Sequence, residues 1–489
     1  MLRFYDAWAA FTQALQANCI RPTALETALS EAWGLGVAQF RVLPAVALVA
    51  LAGAVWRLGR TGPQGTHVLS ILLGFLVLYY PFGNAVAILV PAALGSYALL
   101  GLGRQRCVAP TWLACGGYLI LWHAIMKYDA AWHEGGLSYA ILPLMFATCK
   151  LIAAAHSYAD GAFVDAKGQL SEYQREHALE ERPSLLEYLG YLLGAGSLLV
   201  GPLVEMRPYL AFAHCRGVWA QEPPLPWRTL AARLLQSCLC FYLCWLLADR
   251  YKPDKIWKKD GAYQQLGFFA RLAFLHISCT VFRLQLYVHW GLAEAGALLS
   301  GIGYSGPDSR GGHSWERGRC VRVAEVELGP SLADATAHWN LPIAIFLRHY
   351  VYDRLPHGSG PEKLGALAAT FLASVLWHGL QVGFLLAGTG VGVAVLASRV
   401  LYKWQQACGP RPALQLGWQV VQFCFKWLVV DTLLLPSFQA LKWDKIWRMG
   451  GSTYAAGWAA TLLILLASWT LFPVKGRRSK ERENGAQGV

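Results

Sequence analysis

Charge is what this sequence has least of. Lys, Arg, Asp and Glu together make up 15% of its 489 residues, where an average soluble domain holds about a quarter. Between Thr61 and Gly103 there is no Asp, Glu, Lys or Arg, and Gly450–Val474 is uncharged as well. In Leu364–Ser398 the single titrating side chain is His378. This shortage excludes a string of soluble domains, of which the length alone would allow about three. The period-two alternation of a membrane barrel strand is missing too. Met1–Ala28 contains Asp6 and Glu26 and no clean apolar centre, so no cleavable signal peptide is expected. No internal repeat longer than the tetrapeptide Asp-Lys-Ile-Trp, at 254–257 and 444–447, supports the inverted repeats of a transporter.

What is present is apolar. Hydrophobic residues make up 55% of the chain and the mean hydropathy is +0.36. Backbone groups in hydrocarbon must be bonded within their own segment, so the long uncharged runs are predicted to be helices. The expected fold is all-α, a polytopic bundle of about eleven transmembrane helices. Candidate spans cover 34–57, 66–81, 84–103, 108–127, 138–158, 185–205, 229–249, 266–300, 334–353, 364–386, 388–403, 415–438 and 453–473, some of them re-entrant or interfacial. The organisation reads as an amphipathic lead over 1–33, one membrane domain over 34–474 and a basic tail over 475–489. Loop 160–183 carries six acids and three bases, and 303–333 is rich in Gly, Ser and Arg.

The net charge of +13 does not indicate nucleic acid, because the basic residues sit in short loops between apolar runs. Lys252, Lys255, Lys258 and Lys259 form one group; Lys475, Arg477, Arg478, Lys480 and Arg482 form another. Such clusters face the cytosol and anionic lipid, which places the C-terminus in the cytosol. Most of the twelve cysteines lie inside apolar runs, where they act as small hydrophobes, and their spacing fits no zinc pattern. No metal or resident cofactor is expected.

Ionisable or amide side chains within spans are functional candidates. His123, Lys150, His156, Glu187, Glu205, His276, Arg283, His289, Asn340, Arg348, His378, Lys426 and Asp431 qualify, although a lone intramembrane His is often a packing residue and terminal cations often snorkel. Trp-His occurs at 122–123, 132–133 and 377–378. The third lies near the middle of its uncharged run, among Ala373, Ser374, Gly379 and Gly383, small residues that permit close approach. An imidazole there is neutral, as a general base requires. In Trp339-Asn340-Leu341-Pro342, Asn340 has two readings: a helix cap ahead of Pro342, or an amide that orients a nucleophile or supports an oxyanion.

On these two segments the chain resembles the membrane-bound O-acyltransferase family, in its lysophospholipid acyltransferase branch. The family's signature pair corresponds to Asn340 in Trp-Asn and His378 in Trp-His-Gly, 38 positions apart. Further segments look like those of the branch: Pro183-Ser184-Leu185-Leu186-Glu187-Tyr188 through Gly201-Pro202; Lys150-Leu151 through Tyr158, Asp160 and Gly161; Arg283, Tyr287, Trp290, Ala293-Glu294-Ala295 and Gly301-Ile302-Gly303-Tyr304; and Val351-Tyr352 with Arg354. The likeness runs from about residue 34 to 440. Departures flank the pair, with Ile343 and Phe346 where the branch has Thr and Trp, and Gln381 and Val382 after His-Gly.

The resemblance implies the membrane-bound O-acyltransferase fold, location in the endoplasmic reticulum membrane, and transfer of a fatty acyl group from acyl-CoA to a lysophospholipid hydroxyl. Lysophosphatidylcholine is the default acceptor, acyl-CoA being co-substrate rather than cofactor. His378 would be the general base and Asn340 its orienting or stabilising partner. Trp339, Trp377, Ser374, Gly379, Arg283, Tyr287, Arg348 and Tyr352 are the expected substrate-binding residues, with Arg283, Arg348 and Lys426 as candidate cations for coenzyme A. The rival readings are another acyltransferase of the family, with a sterol, diacylglycerol or protein acceptor, and a non-enzymatic transporter.

Overall fold

A computed structural model describes residues 2–33, 36–59, 62–129, 132, 138–164, 170–194, 197–258, 261–356, 358, 360–440, 442–453 and 455–470. The basic tail 475–489 lies outside the described residues. Almost every described element is a helix; the one sheet is a hairpin of Gly306–Pro307 with His313–Ser314.

Among the described residues, seven helices are long and apolar enough to cross a membrane: Val37–Leu58, Pro63–Leu100, Val108–Tyr128, Ser138–Phe163, Trp227–Ala248, Val382–Ala407 and Pro412–Ala440. An eighth crossing results if the bent pair Trp443–Ser452 and Ala456–Thr470 counts as one span. The chain is therefore a multi-pass membrane protein. Other expected spans take other forms. The two expected spans 66–81 and 84–103 form one helical run, Pro63–Leu100, whose middle tightens to a 3₁₀ helix at Gly83–Ile88, just after the Pro81-Phe82 breaker. Residues 185–205 contain the short helices Leu185–Leu193 and Ser197–Val200, and 334–353 is divided at Trp339-Asn340. Phe268–Ser300 is one helix of 33 residues, too polar to join the seven because it carries His276, Arg283, Gln285, His289 and Glu294.

The described chain forms two compact units. The first comprises residues 1–244, 284–321 and 340–380. At its centre is Ile141–Asp160, a helix buried on nearly every side, whose Ala147, Ala153, Ala154 and Ala155 let neighbours approach closely. Without a hydrophobic drive between helices in lipid, such small residues and interhelical hydrogen bonds provide the cohesion. Gly74 shows the tightness: a Cβ there would lie 1.9 Å from the Leu193 carbonyl oxygen. In the helix Trp227–Ala248, Leu235 and Leu239 turn outward, as on a lipid-facing helix. The lead consists of Leu2–Gln16 and Ala24–Trp33, and the buried Arg41 holds Glu26 by two bonds of 3.0 and 3.1 Å. That pairing, with the Tyr80 hydroxyl 2.6 Å away, holds the Glu26 carboxyl down at about 2.

The second unit comprises residues 245–283, 322–339 and 381–489. Its core joins Ala394, Ala397 and Leu401 of Val382–Ala407 to Phe425 and Val429 of Pro412–Val429, with Cys279 and Leu332. The two Asp-Lys-Ile-Trp copies pack together here, as Asp254–Trp257 against Trp443–Ser452.

Candidate active site

Asn340 sits where the chain must turn. Ser331 and Asp334 form a reciprocal cap that starts the helix Leu332–His338. The helix ends at Trp339 in an extended conformation, and Asn340 follows with φ 47° and ψ 57°. Asn is among the few residues that tolerate this left-handed backbone. Pro342 then suits the first turn of Leu341–Phe346. The Asn340 carbonyl accepts from the amides of Ile343 and Ala344 at 3.1 and 3.0 Å, but the side chain makes no capping bond. Its Oδ1 is buried with no hydrogen-bond partner among the described residues. The capping reading of the carboxamide is thereby removed.

His378 is the last residue of the helix Pro361–His378, not the middle of a span. The expected span 364–386 breaks at Gly379, whose φ of +126° leaves the helical region, and a Cβ there would lie 2.9 Å from Nδ1 of His123. The next helix starts at Val382. The helix end is braced on three sides. His123 Nε2 donates to the Trp377 carbonyl at 3.1 Å, Lys127 Nζ donates to the Leu380 carbonyl at 2.9 Å, and Trp377 Nε1 donates to the Met145 carbonyl at 2.8 Å. The first and third Trp-His pairs of the sequence thus meet. Trp377 stands edge-on to Phe146 and also to the His378 ring, with centroids 5.6 and 4.7 Å apart. Ser374 lies one turn earlier on the same helix face.

Asn340 and His378 belong to the same unit. Their segments share its apolar cluster, through Ile343 and Phe346 on one side and Trp377 on the other, and both pack on Ile141–Asp160.

Within that unit, segments far apart in sequence are tied by polar contacts. Asp160 and Arg354 form a two-pronged ion pair with both bonds at 2.6 Å. Lys150 donates to the carbonyls of Tyr191 and Leu192 and to the Ser197 hydroxyl. Glu205 accepts from the hydroxyls of Tyr173 and Tyr350 at 2.8 and 2.9 Å, and Glu294 accepts from the amides of Cys320 and Val321 while pairing with Arg233. Trp112 Nε1 donates to His156 Nε2 at 2.9 Å. No spacing rule links residues so distant; only their membership of intramembrane polar positions marked several of them. A small cavity in this unit is lined by Lys150, Tyr191, Ser197, Pro202, Tyr209 and Ala297, among others, and neither Asn340 nor His378 is among its lining residues.

The other expected binding residues fall as follows. Arg348 is 60% exposed, pairs with Asp353 at 2.9 Å and lies over the Tyr352 ring. Tyr352 is buried, and Tyr287 is buried beside Trp290. Trp339 is half-buried in the second unit. Arg283, also in the second unit, is enclosed by Glu327, Thr280, Asp431 and the Trp427 ring. Lys426 donates to the carbonyls of Val326, Glu327 and Gly329, the end of the helix Val323–Leu328.

The sequence profile of the membrane-bound O-acyltransferase family matches residues 128–439. Lysophospholipid acyltransferase 1 of Arabidopsis thaliana is 30% identical over 428 residues, covering 86% of this chain and 91% of its own length. Lysophospholipid acyltransferase 2 of the same plant is 29% identical, covering 92% of this chain and 97% of its own. Membrane-bound glycerophospholipid O-acyltransferase 1 of Mus musculus is 26% identical, covering 86% of each.

Proposed function

This chain belongs to the membrane-bound O-acyltransferase family, and from that membership and the geometry around Asn340 we propose that it transfers a fatty acyl group from acyl-CoA to the free hydroxyl of a lysophospholipid. The relatives named lysophospholipid acyltransferase, which align with nearly the whole chain, support the acceptor class. Lysophosphatidylcholine is the first acceptor to test.

The transfer runs directly between the two bound lipids. His378 takes the proton from the glycerol hydroxyl as its oxygen attacks the thioester carbonyl. The tetrahedral oxyanion collapses, and the coenzyme A thiolate leaves and takes up a proton. The observation that carries this reading is the carboxamide oxygen of Asn340, buried yet unbonded. A buried acceptor without a donor costs about 1–3 kcal/mol, and a hydroxyl or imidazole N–H arriving there removes that cost. Asn340 accordingly orients the alcohol or the base. General-base assistance contributes about 10²–10⁴-fold, and fixing two lipids in reach of one another can contribute more. The braces on the carbonyls of Trp377 and Leu380 hold the backbone on either side of His378 and Gly379. We place the protein in the endoplasmic reticulum membrane with the basic tail, and the coenzyme A entrance, on the cytosolic side.

The test incubates purified protein with labelled oleoyl-CoA and a panel of lysolipids differing in head group. Label in phospholipid, lost with His378→Ala, supports the reading. Label appearing only in a sterol, diacylglycerol or protein acceptor overturns it.

A further inference from the structure

The sequence offers no metal-ligand spacing, yet three segments far apart in the chain bring two imidazoles and a carboxylate together. His67 lies in the second turn of Pro63–Phe82, Glu187 in the first turn of Leu185–Leu193, and His214 directly after Met206–Ala213. Their ligating atoms all lie within 4.8 Å of one another. We propose that these residues form a binding site for a divalent transition-metal ion, with Zn²⁺ the ion that fits it best.

The polarity of the surrounding hydrogen bonds prepares His67 for this role. Ser70 Oγ donates to the Thr66 carbonyl at 2.7 Å, so it accepts from Tyr209, whose hydroxyl is 3.3 Å away. Having donated there, the Tyr209 hydroxyl accepts from Nδ1 of His67 at 2.8 Å. The proton of the neutral ring is thus fixed on Nδ1, and Nε2 keeps a bare lone pair. That Nε2 is buried and has no hydrogen-bond partner among the described residues, in a side chain only 2% exposed. An imidazole whose outer nitrogen donates to a fixed partner is the usual arrangement of a metal-bound histidine.

Glu187 is prepared in the same way. Its Oε2 accepts from the amide and hydroxyl of Ser184 at 2.7 and 2.8 Å, leaving Oε1 turned to Nε2 of His214 at 3.3 Å. That separation is long for a charge-assisted hydrogen bond. It matches the edge of a tetrahedron with metal–ligand bonds near 2.0–2.1 Å, about 3.3–3.4 Å. Two nitrogens and one carboxylate oxygen suit Zn²⁺, with the fourth position open to water. Glu187 and His214 are about a quarter exposed, which gives an aqueous ion a way in. A bound ion would clamp the second turn of Pro63–Phe82 and the first turn of Leu185–Leu193 to the end of Met206–Ala213, independently of the acyl-transfer reading.

The test uses the full-length protein in detergent, stripped with EDTA and then titrated with Zn²⁺ against a chromophoric chelator. Wild type is expected to hold one Zn²⁺ per chain and to unfold at a higher temperature with it. His214→Gln, at a part-exposed position, and His67→Gln should each weaken binding at least 10-fold and abolish the thermal shift. Tyr209→Phe, which leaves the three ligands and removes only the orienting hydroxyl, should weaken binding roughly 10–100-fold. Co²⁺ should give the intense visible absorption of tetrahedral coordination in wild type and not in His214→Gln. Size-exclusion profiles identify any variant that fails to fold, and His214→Gln and Tyr209→Phe then decide without it. Equal Zn²⁺ affinity in wild type and the His67→Gln/His214→Gln double variant overturns the site. So does the absence of any retained Zn²⁺ in wild type, which would leave only the His214–Glu187 contact.

Discussion

The polar side chains around Lys426 and those around Asn340 make opposite use of burial. Lys426 is fully buried, and its ammonium meets the carbonyls of Val326, Glu327 and Gly329 at 3.1, 3.0 and 2.7 Å. An ammonium has three protons to donate, and each has an acceptor. Asn340 is only half-buried, yet its carboxamide oxygen is sealed and unbonded, and its own backbone is held left-handed. Intramembrane polar residues therefore divide by whether the protein itself satisfies them. A saturated group such as Lys426 holds the fold, whereas the carboxamide oxygen of Asn340 has no such structural role among the described residues. Burial alone would have ranked the two the other way round.

The strongest way to break that division is at the proposed base. His378→Ala should lower kcat for acyl transfer by about 10²–10⁴-fold, with expression and membrane insertion near normal. Purified His378→Ala turning over at the wild-type rate would remove the imidazole from the chemistry. Asn340 comes next, and here the backbone must be separated from the side chain. Alanine in a left-handed conformation adds roughly 1–2 kcal/mol of strain, so Asn340→Gly is the cleaner probe. It keeps φ near 47° without cost and deletes the carboxamide. We expect roughly a 10²-fold loss of turnover, the scale of a misplaced reactant, at unchanged thermal stability. An undiminished rate would make Asn340 a backbone device only.

Lys426 should show the converse. Lys426→Met leaves three buried carbonyls without their donor, a destabilisation on the order of 3 kcal/mol. The melting temperature in detergent should fall while kcat per folded molecule stays near wild type. A variant that melts like wild type but cannot use acyl-CoA would return Lys426 to the coenzyme A path.

The sequence carried the membrane fold well, because a run such as 61–103 without a single charge has one solution in hydrocarbon. Asn340 and His378 stand out as polar side chains in apolar surroundings and are paired by resemblance, and the structure places both in one unit. The sequence did not carry the break at Gly379. An uncharged run gives no sign of where a helix ends, and the ring that leaves no room for a side chain at 379, His123, lies more than 250 positions upstream. The span 334–353 is divided in the structure at Trp339-Asn340, where Pro342 already suggests a helix start; the Ser331–Asp334 cap and Pro342 define two short helices. Nor could spacing have paired Asp160 with Arg354, or gathered His67, Glu187 and His214. Hydrogen-bond satisfaction is a property of three-dimensional neighbours, so the distinction between Lys426 and Asn340 has no signature in one dimension.

Arg348 tests the boundary between the two classes, with the smallest effect. It pairs with Asp353 at 2.9 Å, but its side chain is 60% exposed, and exposed pairs contribute about 0–1 kcal/mol. Its guanidinium is thus weakly held by the protein and able to turn to a polyanion such as coenzyme A. Arg348→Ala should leave the melting temperature unchanged and raise KM for acyl-CoA about 2–5-fold, with kcat preserved. Because screening weakens exposed charges, the gap between wild type and variant should close as salt is raised towards 1 M. A KM that is unchanged at low salt would place Arg348 with the structural cations. A fall in kcat at constant KM would place it instead beside the reacting atoms.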